Sequence, residues 1–559
     1  MLHHYFSKLS NKKYFFFIAI LGLFANILSA YSTLGYFQQD EHYQILEFMH
    51  NLTFNTSPDK MVWEYQSQIR PWFQPFSYFL SLKLLSLFFN LNDPFFISFL
   101  IRLESCLFAF IGQCIFTLAL YKIFNGNKIW KISTGIIFLF YIFPFLSART
   151  SSENISSTFI LLSFSTFIFS IKDKIFHISE LKQNLSFHHY GLFLSGLFSG
   201  LAFEARFQSA FFIIGFALWI LFNSKRKFKF ILTYFSAIGI CISLGTLIDS
   251  YCYRKFVFSP WNYFDYNILK GVAANFGVSP FYYYINILSD FFAPPLGFFI
   301  ILGIFISIIK FRKSILLWSF LSFVGFHSLI GHKEERFLFP IFILMVPILC
   351  QSILYLYQII DDNMKYQKYL FALKSLKRIF NISFIVIFIN SCLILFFTIY
   401  KVENISFGFL NTFAQRFKHH DIKALEFLDK NVETSEYYGF NKDIQCDDKT
   451  KDSKCDLYRY FYIKNQHNFI LLNSNEEYIH LFKNKDKYYY NYLYLDKNNI
   501  DFVKTNFYKD HCKTVYLSRS IPIYENEFYL FQNSILKPIL NLKHWYNRGY
   551  ANIFIKCSN

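Results

Sequence analysis

Long segments without a single Lys, Arg, Asp or Glu recur along the chain and restrict its fold more than any other feature. Residues 314–331 and 337–360 are two such segments, and a third runs from Tyr14 to Gln39. About 20 apolar residues in a helix cross the hydrocarbon core of a bilayer, which is about 30 Å thick. Only 16% of the 559 residues are charged, against about 25% in soluble domains. The sequence therefore predicts an all-α polytopic membrane protein.

The basic residues predict how this protein is oriented. The net charge of +18 comes from 55 basic and 37 acidic residues, and Lys and Arg accumulate in cytoplasmic loops. This bias explains the excess without a nucleic-acid partner, and none is expected. If residues 73–92 form an interfacial or re-entrant helix, about 11 transmembrane helices remain and every basic cluster lies inside. If 73–92 crosses the membrane, all later loops change sides and the basic ones lie outside. The charge bias therefore favours the first alternative. The predicted crossings are roughly 14–36, 99–121, 132–148, 156–171, 190–204, 207–223, 230–249, 291–309, 314–330, 337–359 and 379–400.

The end of the chain changes character and suggests a second domain. Residues 1–402 contain all predicted crossings, whereas residues 403–559 are rich in Asn, Lys, Asp and Tyr, with short aromatic runs between polar turns. We expect a soluble extracytoplasmic α/β domain of ordinary size there. On the outer side of a membrane disulfides are plausible, and Cys446 with Cys455 would close the shortest loop.

The first outer loop carries adjacent carboxylates in YFQQDEHYQILEF. Asp40 and Glu41 follow the first predicted helix, and Gln44 lies on the same helical face. Acidic residues at a helix start are often only a solvated end that complements the helix dipole. The alternative is catalytic, because a carboxylate can act as a general base toward a sugar hydroxyl.

Further outer segments combine charged, aromatic and amide side chains. Tryptophans can simply mark the membrane interface, and an ion pair beside a short turn can be structural, yet ionisable groups at membrane depth are functional candidates by default. The candidates for sugar or phosphate binding are Trp63, Glu64 and Arg70 in MVWEYQSQIRPWFQP, Arg149 and Glu153 in ARTSSEN, Arg206 in GLAFEARFQSA, and Trp261 and Asn262 in SPWNYFDYN.

The stretch GHKEERFLFP at 331–340 places five ionisable residues between two apolar runs. Arg binds phosphate through a bidentate fork and Lys binds it as a point charge. His332, Lys333 and Arg336 therefore suit a phosphate at the membrane surface. A solvated turn held by internal Lys–Glu pairs is the competing interpretation.

Several of these motifs together resemble one family. HKEERFLFP is similar to the signature of the polyprenyl-phosphate-mannose-dependent mannosyltransferases, glycosyltransferase family 22, which includes GPI mannosyltransferase III. QDEHYQILEF resembles its Asp-Glu motif, WEYQSQIRP its Trp-Glu…Arg…Pro segment, and ARTSSEN and SPWNYFDYN…GVSPFYYY further blocks in the same order. The resemblance covers roughly residues 14–360. The sequences DEHYQILEF and IRPWFQP resemble those of bacterial members more closely than those of eukaryotic members.

The resemblance implies a GT-C fold in which residues 1–402 form the catalytic domain. It implies transfer of mannose, or a related hexose, with inversion, from a polyprenyl or dolichyl phosphate carrier to a lipid-linked or surface glycan. Asp40 would be the general base, with Glu41 in reserve. The donor phosphate would be held by His332, Lys333, Arg336, Arg149 and Arg206. The substrate would be contacted by Gln44, Trp63, Glu64, Arg70, Glu153, Trp261 and Asn262. No metal and no cofactor are expected, because fixed donors can meet the charge of the leaving phosphate.

Two alternatives stay open from the sequence. A transporter or a flippase for lipid-linked sugars would also bury charges among helices, although such proteins show paired halves with interrupted helices, and no internal repeat is visible here. The expected location is a bacterial inner membrane with a periplasmic site. A lumen-facing site in the endoplasmic reticulum membrane is the alternative.

Overall fold

A computed structural model describes residues 10–33, 38, 40–54, 61–91, 94–172, 186–224, 226–290, 296–363 and 370–399, together with five short strands near the end of the chain. Helices dominate these residues. They are α1 (Asn11–Ser32), α2 (Glu47–Phe54), α3 (Trp63–Gln66), α4 (Phe73–Leu85), α5 (Pro94–Phe124), α6 (Lys128–Leu139), α7 (Ile142–Ser147), α8 (Ser152–Ser170), α9 (His189–Ala205), α10 (Ala210–Asn223), α11 (Lys227–Cys252), α12 (Ser259–Phe264), α13 (Tyr283–Asp290), α14 (Leu296–Lys310), α15 (Ile315–Leu329), α16 (Phe342–Asn363) and α17 (Leu370–Ile399).

Length and hydropathy make this a multi-pass membrane protein, as the sequence predicts. In the described part of the chain, four helical segments are long and apolar enough to cross a bilayer: Asn11–Ser32, Phe96–Phe124, Lys227–Cys252 and Glu335–Asn363. Shorter apolar helices lie at three further predicted crossings, Phe207–Asn223, Leu296–Lys310 and Ile315–Leu329. Helix α4 has 13 residues, which corresponds to about 20 Å. It is too short to cross the bilayer core.

Two helices at the centre of the bundle explain how the site is supported. Helix α8 is buried along most of its length and packs against α9 and α5. Helix α9 approaches α11 closely because Gly196 faces the backbone of Tyr234 and Gly200 faces the side chain of Cys241. Small residues commonly mediate such close helix contacts in membranes. One turn from Cys241, Gly245 leaves the space that the buried carboxylate of Glu204 occupies.

Aromatic rings fill the space around α8. Phe167 packs edge to face against Phe216 and Trp219 of α10, with ring centroids 4.6 and 5.7 Å apart. Phe116 of α5 packs in the same way against Phe164 at 5.5 Å. Edge-to-face geometry is favourable for aromatic pairs beyond the area that they bury. The first turn of α8, which carries Glu153, is therefore anchored to a rigid core.

Five strands form one sheet: β1 (Lys423–Phe427), β2 (Asn468–Leu472), β3 (Tyr492–Leu495), β4 (Cys512–Leu517) and β5 (Ile553–Cys557). Their order is β2-β1-β3-β5-β4. Strand β1 is parallel to β2 and β3, whereas β5 is antiparallel to β3 and β4. The connecting residues and the pair Cys446–Cys455 lie outside the described residues. The α/β domain over 403–559 and its disulfide thus stay predictions.

Candidate active site

Asp40 lies at the start of a π-helical turn, Glu41–Leu46, which follows α1 and continues into α2. Its Oδ2 atom is 2.7 Å from Nη1 of Arg336, and the Asp40 side chain remains 26% exposed. No hydrogen bond to Oδ1 is found among the described residues. The first and last of the predicted charged motifs therefore meet, and one carboxylate oxygen stays accessible.

Arg336 is the centre of a charged network at one end of the helix bundle. It lies in a 3₁₀ turn, Glu335–Ile341, just before α16. Its guanidinium group binds Glu334 in a bidentate manner, with Nε 2.7 Å from Oε2 and Nη2 3.1 Å from Oε1. Bidentate pairs of this kind are among the stronger hydrogen bonds in proteins and fix orientation. Arg336 is thereby held in place by one carboxylate and contacts Asp40 with its remaining edge.

His332 continues the network on the other side of Glu334. Its Nε2 lies 3.0 Å from Oε1 of Glu334, and its Nδ1 lies 3.0 Å from the carbonyl oxygen of Gly277. Both partners are hydrogen-bond acceptors, so both ring nitrogens donate, which only the imidazolium can do. The hydrogen bond to Glu334 raises the pKa of His332. Asp40, Arg336, Glu334 and His332 form a chain of alternating charge.

The pKa of Glu334 shows how strongly the charged groups of this chain interact. Burial alone would raise the pKa of its carboxyl, but the hydrogen bond from His332 and the charge of Arg336 outweigh burial and lower the pKa to about 2. The carboxylate therefore stays ionised throughout the physiological pH range. It positions its two cationic neighbours.

A second branch enters from α8 and α9. Glu153, in the first turn of α8, is 2% exposed, and its Oε1 lies 2.8 Å from Nη1 of Arg206 and 3.8 Å from Nε of Arg336. Arg206 also donates to Oγ of Ser152 at 3.1 Å. A buried carboxylate between two guanidinium groups satisfies the rule that buried charges are paired. The motifs ARTSSEN and FEARF thus join the same site.

Glu64 and its partners line the site next to Asp40. Nε2 of Gln44 donates to Oε1 of Glu64 at 3.1 Å, and Nη2 of Arg70 lies 3.7 Å from the same oxygen. Burial raises the pKa of Glu64 against the opposing charge of Arg70, and the negative charge of Asp40 raises it further. These three side chains form a polar cluster, and Asp40 lies close enough for its charge to act on Glu64.

Other predicted site residues lie outside these contacts. The ammonium group of Lys333 is held by the carbonyl oxygens of Ser279 and Gly331, at 2.8 and 3.4 Å. The Glu41 side chain is buried, and its Oε1 accepts the backbone N–H of Gln38 at 3.3 Å. Arg149 is buried with its guanidinium over the ring of Phe145 at 4.6 Å. Neither Lys333 nor Arg149 has an ion pair with the chain from Asp40 to His332 among the described residues.

The predicted aromatic and amide residues form a surface on the loop after α11. Trp63 stacks on Tyr266 with centroids 5.5 Å apart. Nδ2 of Asn262 donates to the carbonyl oxygen of Gln68 at 3.2 Å. The indole of Trp261 is 56% exposed. These contacts connect the segment that follows α11 to α3, through Trp63, and to the turn after α3, through Gln68.

Two residues with important contacts were not among the predicted site residues. Glu334 was visible as part of the charged stretch, but its role between His332 and Arg336 depends on side-chain direction. Asp249, near the end of α11, is fully buried, and it accepts the backbone N–H of Trp72 at 2.7 Å and the hydroxyl of Ser259. A carboxylate close to the end of an apolar run was the available signal. Through these hydrogen bonds Asp249 connects the segments that contain Trp72 and Ser259 to α11.

The chain is similar in sequence to several mannosyltransferases. The chain is 27% identical over 337 residues to GPI mannosyltransferase 3 of Candida albicans, covering 60% of this chain and 62% of that protein. It is 26% identical over 322 residues to mannosyltransferase APTG1 of Arabidopsis thaliana, covering 56% and 54%. It is 24% identical over 310 residues to GPI alpha-1,2-mannosyltransferase 3 of Danio rerio, covering 55% and 53%. The matches cover less than two thirds of these relatives' own length.

Among solved structures, the chain is similar to ArnT from Cupriavidus metallidurans bound to undecaprenyl phosphate, with a TM-score of 0.45, 9% identity and coverage of 97% of both chains. It is also similar to the Archaeoglobus fulgidus oligosaccharyltransferase, with a TM-score of 0.48, 12% identity and coverage of 89% of this chain and 70% of that one.

The family itself is shown by a profile match over most of the chain. The profile of the Alg9-like mannosyltransferase family matches residues 14–433. This range includes every motif on which the predicted resemblance to glycosyltransferase family 22 depends. The chain belongs to the Alg9-like mannosyltransferase family.

Proposed function

We propose that this protein is an integral-membrane mannosyltransferase of GT-C type. It moves mannose from a polyprenyl or dolichyl phosphate carrier to a lipid-linked or surface glycan, with inversion at the anomeric carbon. The observation that carries the proposal is the convergence of Asp40, Glu153, Arg206 and Arg336, which come from four separate motifs, into one network of ion pairs.

The position of this network favours a transferase over a transporter. Asp40 follows the end of α1, Glu153 begins α8, Arg206 follows α9, and Arg336 precedes α16. With the predicted threading of 11 crossings, these four positions share one membrane surface. Transporters hold substrate near the bilayer midplane, at interrupted helices. A site at the helix ends instead suits a lipid carrier whose sugar lies at the membrane surface.

In the proposed reaction Asp40 is the general base. Its Oδ2 is oriented by Arg336, and Oδ1 accepts the proton of the acceptor hydroxyl as that oxygen bonds to the anomeric carbon. The bond from the anomeric carbon to the phosphate oxygen breaks, and its electron pair leaves with the phosphate. Inversion requires the base and the leaving group on opposite sides of the sugar. Asp40 and His332 lie at opposite ends of the alternating chain and can serve these two positions.

The donor phosphate is then assigned to His332 and Arg336, with Arg206 beside them. Preorganised positive groups at a developing charge are a major source of rate enhancement. Lys333, held by carbonyl groups of the neighbouring loop, is assigned the role of positioning that loop. Gln44, Glu64, Arg70 and Trp63 are assigned to the sugar or the acceptor.

The site faces the extracytoplasmic side in this proposal, because the basic clusters between the helices then lie inside. In a bacterium this places the site in the periplasm, and in a eukaryotic cell in the lumen of the endoplasmic reticulum. Residues 403–559 would lie on the same side. A cysteine introduced at Lys270, which is exposed in the loop after α12, would report sidedness by labelling with an impermeant maleimide in intact cells or sealed vesicles.

The test of the activity uses membranes that contain the full-length chain, supplied with polyprenyl-phosphate-mannose carrying a labelled sugar. We expect transfer of the label to an endogenous or added glycolipid acceptor. Asp40→Asn should retain expression and donor binding but lose turnover. Near-normal turnover of Asp40→Asn would exclude Asp40 as the base.

The matched control is Asp361→Asn. Asp361 pairs with Lys377 at the far ends of α16 and α17, where the predicted threading places the cytoplasm. We expect no change in turnover from this substitution. Equal losses in both variants would point to a general effect on folding.

A further inference from the structure

The segment 259–269 shows an inverted distribution of polar and apolar side chains. It consists of α12 and the π-helical turn Asp265–Leu269 that continues it. Every exposed residue in this segment is apolar. These residues are 43–60% exposed, and we call them the apolar face: Trp261, Phe264, Ile268 and Leu269. The first three recur at the spacing that places side chains on one side of a helix, and the rings of Trp261 and Phe264 are 5.9 Å apart.

The other side of the segment is held against the candidate active site. Nδ2 of Asn262 donates to the carbonyl oxygen of Gln68 at 3.2 Å, and Nε2 of Gln208 donates to the hydroxyl group of Tyr263 at 2.5 Å. Polar side chains therefore lie on the protein side of the segment, and apolar side chains lie on the outside. Contiguous exposed apolar surface marks a contact with a partner or a membrane.

Hydrogen bonds to α11 place the start of the segment at the boundary of the membrane core. Helix α11 has 26 residues and a length of about 39 Å, so it extends slightly beyond a bilayer core of about 30 Å. Asp249 lies three residues before the end of α11 and accepts the hydroxyl group of Ser259. The backbone N–H of Val257 donates to Oγ of Ser250 at 3.1 Å. The chain therefore turns back along α11, and the segment begins where acyl chains meet headgroups.

Exposed apolar side chains continue from α11 into this part of the chain. Leu247 and Tyr251 are four residues apart on this membrane-crossing helix, and both are exposed. Phe256, in the turn that follows α11, is 82% exposed. Lys255 and Lys270 lie on either side of the segment and are exposed as well. Lysines beside apolar surface keep the ammonium group in a polar layer, which suits the headgroup region of a bilayer.

We propose that residues 259–269 form an interfacial helix whose apolar face inserts into the lipid leaflet at the end of α11. The partner is the bilayer itself, because acyl chains match the apolar face and headgroups match Lys255 and Lys270. Helices of this kind lie in the plane of the membrane, with the apolar side about 5–10 Å deep. Trp261, which the family resemblance assigns to the substrate, contacts lipid in this arrangement.

The same loop contacts the charged network, so its insertion sets the depth at which that network lies. Nδ1 of His332 is 3.0 Å from the carbonyl oxygen of Gly277, and the backbone N–H of Ser279 donates to the carbonyl oxygen of Gly331 at 3.0 Å. An anchored loop holds the stretch GHKEERFLFP at the membrane surface. The proposal does not depend on the assigned transferase activity, because it concerns only the contact with lipid.

The test places a photocrosslinking amino acid in the full-length chain. The variant Phe264→p-benzoylphenylalanine is reconstituted in nanodiscs of phosphatidylcholine and phosphatidylglycerol and irradiated. The mass of the intact chain is measured after free lipid has been removed. The positive control is Leu247→p-benzoylphenylalanine, on the exposed side of α11. The negative control is Asn275→p-benzoylphenylalanine, at an exposed polar residue of the same loop.

We expect Phe264→p-benzoylphenylalanine to gain the mass of one phospholipid, as the variant at Leu247 does. The variant at Asn275 should keep its own mass. The same substitution at Trp261 and at Ile268 should give the same lipid adduct. These two positions decide the test where the substitution of Phe264 impairs folding.

Three results would overturn the proposal. One is an unchanged mass for all three variants of the apolar face while the variant at Leu247 acquires lipid, because the face then lies in water. Another is a crosslink to residues 403–559 or to a second copy of the chain, identified by peptide mapping, because protein then covers the face. The third is an equal lipid adduct at Asn275, because lipid contact is then not specific to the apolar face.

Discussion

The contact between Asp40 and Arg336 makes a quantitative prediction about how the two residues share one function. The two side chains are joined by a single contact of 2.7 Å between Oδ2 and Nη1. Asp40→Asn removes the general base, and we expect kcat to fall by about 10²–10⁴-fold, or about 3–5 kcal/mol of transition-state stabilisation. Arg336→Lys keeps the charge but loses the bidentate contact with Glu334, and we expect a fall of about 10–100-fold.

The double variant separates a coupled pair from two independent residues. Because Arg336 acts partly by orienting Asp40, its substitution should cost less once the base is absent. Residues in direct contact typically show coupling energies of about 0.5–3 kcal/mol. The double variant should therefore retain several-fold more activity than the product of the two single losses predicts.

The assay measures kcat at saturating polyprenyl-phosphate-mannose in membranes, with protein amounts normalised by immunoblot. The exposed pair Asp361–Lys377 at the opposite end of α16 and α17 provides the parallel cycle, for which no coupling in kcat is expected. Losses that multiply within error for Asp40 and Arg336 would refute the idea that the arginine orients the base.

Three further predictions concern pH, packing and buried charge. Because its pKa is raised, His332 is fully protonated below about pH 6.5 and loses its charge as the pH rises through the raised value. The KM for the donor should rise over that interval, since a positive charge near the donor phosphate is lost. In the variant His332→Gln, the KM should depend less on pH. Gly245→Ala should lower the unfolding free energy by about 1–3 kcal/mol, because the new methyl group meets the buried carboxylate of Glu204. The control in thermal melts is Gly239→Ala, whose methyl group enters open space. Equal unfolding midpoints of the two variants would contradict the packing argument. Arg206→Met should lower the unfolding free energy by about 3–5 kcal/mol, because Glu153 stays buried without the guanidinium that lies 2.8 Å away. The double variant with Glu153→Gln should recover much of that unfolding free energy in the same melts.

The sequence was sufficient to predict which residues share one end of the helix bundle. Charge-free runs locate the helices, and basic clusters orient them, so Asp40 and His332 were expected on the same surface. The structure connects these residues through Arg336 and Glu334. This success has a simple basis, because the order of crossings alone determines at which end each loop lies.

The sequence could not predict which way each side chain points within that surface. Lys333 is adjacent to His332, yet its ammonium group turns to the carbonyl oxygens of another loop. Arg149 and Glu153 are four residues apart in the same motif, but only Glu153 joins the ion-pair network. Helix rotation and side-chain direction depend on packing against neighbours that are far away in sequence. Motif membership therefore overestimates the number of residues in direct contact at the site.

Charge balance determines how a phosphate can bind at the network around the base. The network around the base contains as many cationic side chains as carboxylates when His332 is protonated, so an arriving phosphate must compete with carboxylates that already hold each arginine. Such competition favours binding that repositions Arg336, and with it the base. The members of the balanced network are Asp40, Glu64, Glu153 and Glu334 with Arg70, Arg206, Arg336 and His332.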